Sequence, residues 1–242
     1  MASKVRLYVD HPLGEGQLVP LSRDQAHYLF GVMRMSAGTV LSLINGRDGE
    51  WDAEVAEAGK RGGVLACQAQ TKPMQYPPDL WLLFAPIRKE RMSFIVEKAT
   101  ELGAAKIMPV QTAYTNNGDR VRLEKLQAQV VEATEQCGGT FVPEMTAPAK
   151  LKQVLAGWDA SRTLYFCDEA MIGETAGFTG PPPENGAAIL IGPEGGFSPE
   201  EREMLRNLPY SQIISLGPRI LRAETAAVAA LTLWQNAMGD WQ

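Results

Sequence analysis

The sequence is short of the residues that hold metal ions and disulfides. Its 242 residues include three cysteines and two histidines. The cysteines, Cys67, Cys137 and Cys167, are odd in number, lie far apart and form no CxxC pair. A disulfide framework is therefore excluded in practice, and a zinc site is not expected. This usage favours a reducing compartment, so we predict a cytoplasmic protein that binds no metal.

Long apolar runs and an excess of positive charge are also missing. No apolar run approaches the ~18 residues of a membrane-spanning helix, and the opening residues MASKVRLYVD contain no apolar signal core. Hydrophobic residues make up 45% of the chain and charged residues 21%, which are ordinary values for a soluble globular protein. The net charge of −5 predicts no nucleic-acid partner from composition alone. We therefore expect no membrane association, and any RNA-binding surface has to be local.

A proline-rich stretch divides the chain into two patterns. Residues 70–80, QTKPMQYPPDL, contain three prolines, and this density favours an extended linker. Before the linker, short alternating runs predict strands around one helix, which is introduced by a capping box of Ser22 and Gln25. Together they predict a small barrel-like domain over residues 1–73. The strands are expected at 6–9, 39–44, 50–55 and 63–70, and the helix at 27–34.

Beyond the linker, buried-strand candidates alternate with helical patterns. Such alternation predicts an α/β domain over residues 74–242, with a mainly parallel sheet covered by helices on both faces. Gly103 and Gly138 follow two of the helical patterns, as is usual at a helix C-terminus. The strands are expected at 80–85, 105–110, 163–167, 188–191 and 212–216, and the helices at 89–102, 120–137, 150–155, 199–207 and 224–237.

The first of two loops with the composition of a ligand site follows the strand at 188–191. It reads IGPEGGF, residues 191–197, and paired glycines indicate that something approaches the backbone closely. A glycine-rich loop before a helix commonly binds phosphate, but Glu194 in the turn opposes an anion. The helix also supplies its own capping box through Ser198 and Glu201. A tight turn that simply joins two elements is the alternative.

The second loop is SLGPRILRAETA, residues 215–226, which also follows a strand and precedes a helix. Arg219 and Arg222 lie just before or within the first turn of that helix, where the helix dipole disfavours cations. Their position therefore suggests a role other than helix stability. A surface ion pair between Arg222 and Glu224 is the competing explanation.

Taken together, the two loops resemble the signature of the RsmE-type methyltransferases of the SPOUT class, which modify N3 of a uridine in 16S ribosomal RNA. Residues 27–34, 97–110 and 132–144 resemble further blocks of this family, so the likeness covers essentially the whole chain in order. It implies an N-terminal PUA-like RNA-binding β-barrel and a C-terminal SPOUT domain that ends in a deep trefoil knot, a threading that residue patterns would not predict. It also implies a homodimer in which each active site is completed by the partner chain.

The resemblance implies that S-adenosylmethionine is bent into the knot. Backbone groups of the first loop are expected to line one side of this cofactor, and the second loop to hold its adenine and ribose. Since the cofactor carries a sulfonium cation and no phosphate, Glu194 is no obstacle; it either contacts the cofactor or braces the turn. The cofactor-binding residues implied are Leu190, Ile191, Gly192, Glu194, Gly195 and Gly196 from the first loop, and Leu216, Gly217, Ile220 and Leu221 from the second.

Arg222 is the predicted catalytic residue. Methyl transfer from a sulfonium is an in-line displacement, so alignment of the reactants does much of the work. Loss of the uridine N3 proton leaves negative charge on the flanking carbonyl oxygens, which a nearby cation stabilises. Arg222 matches the family pattern ILR and stands in the right place. No general base is evident, because neither histidine lies near the motifs.

Contacts to 16S ribosomal RNA are implied for basic residues in both domains. For His27 the plainer explanation is a structural histidine, and for Arg88 and Lys89 it is a solvated helix start. Arg91, at the same helix start, is an alternative to these two. The chain departs from the family at Gly139, where arginine is usual, and at QTAYTNN (residues 111–117), where an arginine–serine pair is common; Arg120 or Arg122 could substitute. The RNA-binding residues implied are Arg6, His27, Arg34, Arg88, Lys89 and Arg219.

Three other interpretations are open. A SPOUT methyltransferase could act on the ribose 2′-OH or on another base of RNA. A nucleotide-dependent oxidoreductase is opposed by the absence of GxGxxG and of any phosphate-binding motif. A non-catalytic RNA-binding protein is opposed by the intact cofactor loops.

Overall fold

The structure, a computed structural model, describes residues 5–59, 61–115, 121–173 and 177–241. The chain divides into two compact units. The first contains Met1–Tyr76 together with Thr134–Val142, and the second contains Pro77–Ala133 and Pro143–Gln242. The contiguous boundary predicted near residue 73 did not include the return of residues 134–142 to the first unit.

A five-stranded sheet forms the first unit. The strands run in the order β1-β3-β4-β5-β2, with β1 parallel to β3 and the other pairs antiparallel. Three register shifts along the β4–β5 pair curl the sheet, because such irregularities bend a strand and increase its twist. Its inner face buries an aliphatic core that includes Leu41, Leu43 and Leu65. The strands are β1 (Arg6–Tyr8), β2 (Leu18–Pro20), β3 (Val40–Ile44), β4 (Glu50–Ala58) and β5 (Gly63–Lys72).

The helix predicted between the strands of the first unit begins where the sequence predicts, but it continues as a π-helix. Both hydrogen bonds of the capping box between Ser22 and Gln25 are present at the start of α1 (Arg23–Ala26). The chain then widens into a π-helix over His27–Val32, which buries Leu29 in the core. A π-helical segment is rare and frequently marks a functional site.

A seven-stranded parallel sheet forms the second unit and confirms the predicted α/β domain. Its strand order is β12-β10-β11-β6-β7-β8, and β9 also pairs with β7. The central strand β11 is buried along its whole length, as expected for a parallel sheet covered on both faces. The strands are β6 (Leu80–Phe84), β7 (Lys106–Gln111), β8 (Glu144–Met145), β9 (Ala149–Lys150), β10 (Thr163–Cys167), β11 (Ala187–Ile191) and β12 (Ser211–Ile214).

Helices cover this sheet on both faces. On one face, Leu151 and Leu205 pack with alternate strand residues such as Leu83 and Leu190. On the other, the last helix packs against β11 and against the first helix of the unit. In the described ranges no helix combines the length and apolarity needed to cross a bilayer. The helices are α2 (Lys89–Glu101), α3 (Leu123–Cys137), α4 (Leu151–Ala156), α5 (Pro199–Arg206) and α6 (Ala223–Met238).

The predicted strands are all present, with ends that differ by a few residues. The short strands β2, β8 and β9 were not predicted, because three or two residues are too few to show alternation. Within the described residues the helix predicted over 120–137 begins at Leu123. Arg120 lies outside the described residues.

Candidate active site

The two loops singled out in the sequence line one cavity of about 220 Å³. It lies where β10, β11 and β12, three adjacent parallel strands, end. Open α/β sheets bind ligands beyond the carboxyl ends of their strands, so this is the expected place for a site. The volume is just below the range of about 300–1,000 Å³ usual for small-molecule pockets.

Eight of the ten predicted cofactor-binding residues line this cavity, and two do not. Leu190 is fully buried, and its side chain belongs to the hydrophobic core beneath the sheet. Gly195 faces outward, toward the side chain of Tyr114. The eight that line the cavity are Ile191, Gly192, Glu194, Gly196, Leu216, Gly217, Ile220 and Leu221.

A third segment, which the sequence analysis missed, also lines the cavity. It consists of Cys167, the last residue of β10, and of residues that follow this strand: Asp168, Glu169, Met171 and Ile172. The predicted strand over 163–167 carried the necessary signal, because two carboxylates stand directly after it at the same edge of the sheet. Burial raises the pKa of the Cys167 thiol, so this cysteine stays protonated and unreactive.

Two glycines of the first loop are packed closely by side chains of the protein itself. A Cβ added to Gly192 would lie 2.6 Å from the Phe197 ring. Gly196 has a φ of 70°, and its missing side chain leaves room for the Glu169 carboxylate. The close approach expected from the paired glycines is therefore made at least in part by Phe197 and Glu169.

Asp168 anchors the neighbouring helix to the cavity wall. Its side chain is fully buried and accepts hydrogen bonds from Arg202 Nε at 3.0 Å and from Arg206 Nη2 at 2.5 Å. Arg202 also donates to Glu169 at 2.5 Å, and Glu169 accepts the backbone N–H of Phe197 at 3.1 Å. A chain of charged hydrogen bonds thus runs from helix α5 through the segment after β10 to the first loop.

Glu194 is paired with a cation of the protein. Its Oε1 accepts a hydrogen bond from Arg91 Nη1 at 3.0 Å. Arg91 Nε lies 3.5 Å from Glu224 Oε1, in the first turn of α6. This ion pair braces the loop; a contact between Glu194, which lines the cavity, and the cofactor stays a prediction.

The arginines of the second loop are exposed and available. Arg222 is the N-cap residue of α6, makes no side-chain capping bond and lines the cavity, as does Arg219. The surface pair between Arg222 and Glu224 considered from the sequence is not formed among the described residues, because Glu224 faces Arg91 instead. Neither arginine makes a side-chain hydrogen bond or ion pair to any described residue.

Arg6 is a structural residue of the first unit, which corrects its prediction as an RNA contact. Its guanidinium donates to the carbonyl oxygens of Thr134 (2.7 Å) and Gly139 (2.6 Å). It also bonds the carbonyl of Glu135, and its Nε and Nη2 bind the Glu50 carboxylate at 2.9 and 2.8 Å. All five N–H donors are engaged, so none faces RNA.

Glu50 shows what the Arg6 cluster does electrostatically. Burial alone would raise the pKa of this carboxyl, but a hydrogen bond from Thr71 and the adjacent charge of Arg6 outweigh burial and lower the pKa. The carboxylate is therefore held in its charged form. Gly139, the first departure from the family, supplies one of the carbonyls that Arg6 binds.

The other predicted RNA-binding residues are exposed. His27 opens the π-helix and Arg34 follows it with a φ of 55°, rare for a residue with a side chain. Arg88 and Lys89 stand at the start of α2. Of the QTAYTNN segment, Ala113 donates its N–H to Glu201 at 2.8 Å, while residues 116 and 117 lie outside the description. Arg122 is exposed.

Metal ligands do not cluster in the part of the chain that is described: no group of three or more His, Cys, Asp or Glu is placed to hold an ion. The cavity instead combines apolar side chains, backbone groups and carboxylates.

The fold and the site assign the chain to the class of RNA methyltransferases with a PUA domain. The features of this class are a parallel α/β sheet with two signature loops at its carboxyl edge and a second unit built on a curled β-sheet. The family model for the RNA methyltransferase domain matches residues 74–235. The model for the RNA methyltransferase PUA domain matches residues 21–65.

Two relatives of similar length show which RNA methyltransferase family includes this chain. The ribosomal RNA small subunit methyltransferase E of Rickettsia conorii is 31% identical over 93% of both chains, and that of Buchnera aphidicola subsp. Schizaphis graminum is 31% identical over 97% of both. The chain belongs to the ribosomal RNA small subunit methyltransferase E family, as its resemblance predicted.

Two solved structures share the whole fold. The putative methyltransferase Lpg2936 of Legionella pneumophila, in complex with S-adenosylmethionine, has 29% identity and a TM-score of 0.85. The Neisseria gonorrhoeae ribosomal RNA small subunit methyltransferase E, also bound to S-adenosylmethionine, has 25% identity and a TM-score of 0.87. Each match covers 99% of this chain and 100% of the other.

Proposed function

We propose that this protein transfers a methyl group from S-adenosylmethionine to N3 of a uridine in 16S ribosomal RNA, on the assembled 30S subunit. The observation that carries the proposal is the cavity itself. Both signature loops line it, and so does Arg222 at the start of α6, which has no side-chain partner among the described residues. The names and bound cofactor of the relatives support the substrate class and the methyl donor.

The cavity residues fit S-adenosylmethionine. Ile191, Leu216 and Leu221 offer apolar surface to the adenine and ribose. Asp168, Glu169 and Glu194 also line the cavity, but each is paired with an arginine, so the fit to S-adenosylmethionine rests on the apolar and backbone groups of the loops. When bound, this cofactor supplies an electrophilic methyl group.

Arg222 is assigned to the uracil ring. It lines the cavity, and within the described ranges its guanidinium has no partner, so it is free to approach the negative charge that develops on the carbonyl oxygens beside N3. The N-terminus of α6 acts in the same sense, since its partial positive charge favours an anion and its N-cap residue, Arg222, forms no capping hydrogen bond with the described residues.

We assign no general base. Asp168 and Glu169 line the cavity, and both are held by arginines. Glu194 is held by Arg91. The chain's contribution to the reaction is therefore placement of the reactants and stabilisation of charge, which together account for much of the rate of a displacement.

RNA binding is assigned to exposed basic residues of both units. His27 and Arg34 would contact RNA from the PUA-like domain, predicted at residues 1–73. Arg88, Lys89 and Arg219 would do so from the methyltransferase domain, predicted at 74–242. We further propose a homodimer whose partner chain completes each site, and action in the cytoplasm, where the ribosomal substrate is assembled.

Methyl transfer to purified small ribosomal subunits tests the proposal. Subunits and naked 16S RNA from a strain that lacks the gene are incubated with the protein and labelled S-adenosylmethionine, and nucleosides are then identified by mass spectrometry. We expect 3-methyluridine, with transfer to subunits exceeding transfer to naked RNA. A methylated ribose or another methylated base would refute the assignment of N3, and no transfer to either substrate would refute the activity.

A further inference from the structure

Arg91 joins the two walls of the cavity. It is the third residue of α2, and its guanidinium lies between Glu194, in the middle of the first loop, and Glu224, in the first turn of α6. The N–O distances are 3.0 Å to Glu194 and 3.5 Å to Glu224. Glu194 lines the cavity directly, and Glu224 lies two residues beyond Arg222. One side chain thus links the cofactor loop to the helix that carries the predicted catalytic cation.

The charges around Arg91 are unequal. Two carboxylates face one guanidinium, and Glu224 Oε2 is buried without a hydrogen-bond partner among the described residues. A buried carboxylate oxygen is costly unless a cation is near. Removal of Arg91 would leave Glu194 and Glu224 to repel each other across the cavity wall, so the loop would move away from α6.

The exposure of the group indicates where this effect will appear. The side chains of Arg91 and Glu194 are 32% and 40% exposed, so their pair contributes little to global stability. A contact that fixes a loop in its binding conformation instead reduces the ordering cost that a ligand has to meet. The consequence of losing Arg91 is therefore expected in ligand affinity more than in unfolding.

We propose that Arg91 is a positioning residue that holds the cofactor loop and the start of α6 in their binding arrangement, and that it is not an RNA contact. The inference rests on the proposed function, since it assigns the loop to S-adenosylmethionine. Arg91 acts through Glu194 and Glu224, and its charge is already matched by theirs, which leaves none for a phosphate.

Isothermal titration of S-adenosylmethionine into Arg91→Met, Arg91→Lys and the wild-type protein tests the role. We expect the dissociation constant to rise roughly fivefold in Arg91→Met, the change that corresponds to one exposed ion pair. Arg91→Lys should lie between the two, because an ammonium lacks the planar fork that reaches two carboxylates. The control is Lys98→Met on the same helix. This variant removes a cation that is paired with Glu97 and Glu101 and not with the cofactor loop. Its affinity for S-adenosylmethionine should match that of the wild-type protein.

The Glu194→Gln variant is a second test, because it removes the same Arg91–Glu194 ion pair by neutralising the carboxylate. If Arg91 acts through Glu194, the effects of Arg91→Met and Glu194→Gln on the dissociation constant will be less than additive in the double variant. If Arg91→Met does not fold, Arg91→Lys takes its place in the single and double variants of this cycle.

RNA binding separates this role from a direct contact. The salt dependence of binding to 16S RNA should be the same for Arg91→Met and the wild type, whereas loss of a phosphate contact lowers the slope by about one. The inference is overturned by wild-type cofactor affinity in Arg91→Met, by full additivity with Glu194→Gln, or by a lower salt slope. A wild-type protein that binds no S-adenosylmethionine would refute the proposed function itself, and the inference with it.

Discussion

Substitution of Asp168 by asparagine should weaken both the second unit and its cavity. The carboxylate is fully buried and accepts hydrogen bonds from Arg202 Nε and Arg206 Nε, each at 3.0 Å, from Arg206 Nη2 at 2.5 Å and from the Ala170 N–H at 3.0 Å. Asparagine has nearly the same shape as aspartate, but its amide NH2 group is a hydrogen-bond donor. It would therefore face guanidinium groups that are themselves donors. At least one arginine therefore loses its partner.

The magnitude follows from the burial of each partner. Breaking a buried ion pair costs about 3–5 kcal/mol when the remaining charge stays buried. The arginines are partly exposed, 23% for Arg202 and 39% for Arg206, and can regain water. Arg202 also keeps Glu169. We therefore expect a loss of about 2–3 kcal/mol, below the cost of a fully buried pair and in the upper part of the range for charged hydrogen bonds. For a unit of this size that lowers the melting temperature by about 4–12 °C.

Thermal unfolding followed by circular dichroism, together with titration of S-adenosylmethionine, measures both effects. Cofactor affinity should fall because Asp168 lines the cavity and holds the helix whose Arg202 fixes Glu169. Asp159→Asn is the matched control, since Asp159 is an exposed aspartate whose side chain accepts hydrogen bonds only from Ser161 among the described residues. A melting temperature within about 2 °C of the wild type, with unchanged cofactor affinity, would refute the reasoning.

Four further predictions concern single residues. Arg222→Ala should lower kcat by about 10²–10³-fold while S-adenosylmethionine binds normally, and near-normal turnover would remove its catalytic role. Gly196→Ala should destabilise the loop by about 1–3 kcal/mol and weaken cofactor binding, because the backbone is left-handed there and an added Cβ meets Glu169; chemical denaturation measures the loss. A thiol reagent at neutral pH should modify exposed Cys137 quickly and buried Cys167 only on unfolding, as mass spectrometry of the labelled peptides would report. Glu50, whose folded pKa is depressed, stabilises the protein above its unfolded pKa of about 4.3 and loses that contribution as pH falls through the folded value; Glu50→Gln should therefore flatten the acid side of the stability–pH curve, and an unchanged curve would contradict this.

The general layout of the second unit could be predicted from the sequence because buried strands and amphipathic helices leave local patterns. The same logic located the cavity, since loops after parallel strands meet at one edge. Asp168 was missed even though it follows a correctly predicted strand, because nothing in the local pattern shows that Arg202 and Arg206 return to neutralise it. A trefoil knot is likewise a property of threading, which periodicity does not report.

The role of Arg6 shows the limit of assigning function by position. A basic residue in the opening strand fits an RNA-binding surface, but its acceptors are carbonyls more than 120 residues away, on Thr134, Glu135 and Gly139. Backbone carbonyls have no sequence signature, so this cluster was invisible. The Arg91 link was hidden in the same way, because one of its carboxylates lies in a loop and the other in the first turn of α6, both distant from Arg91 along the chain.

The discontinuity of the first unit has a consequence for how the chain matures. Residues 134–142 supply the carbonyls that satisfy Arg6, so these hydrogen bonds cannot form when only the first 76 residues have left the ribosome. Until that later segment emerges, the growing polypeptide contains all five strands of the sheet but leaves Arg6 without its carbonyl acceptors. This protein, whose family is named for modifying the ribosome, would then depend on a nascent chain well into its second unit before its first can fold to completion.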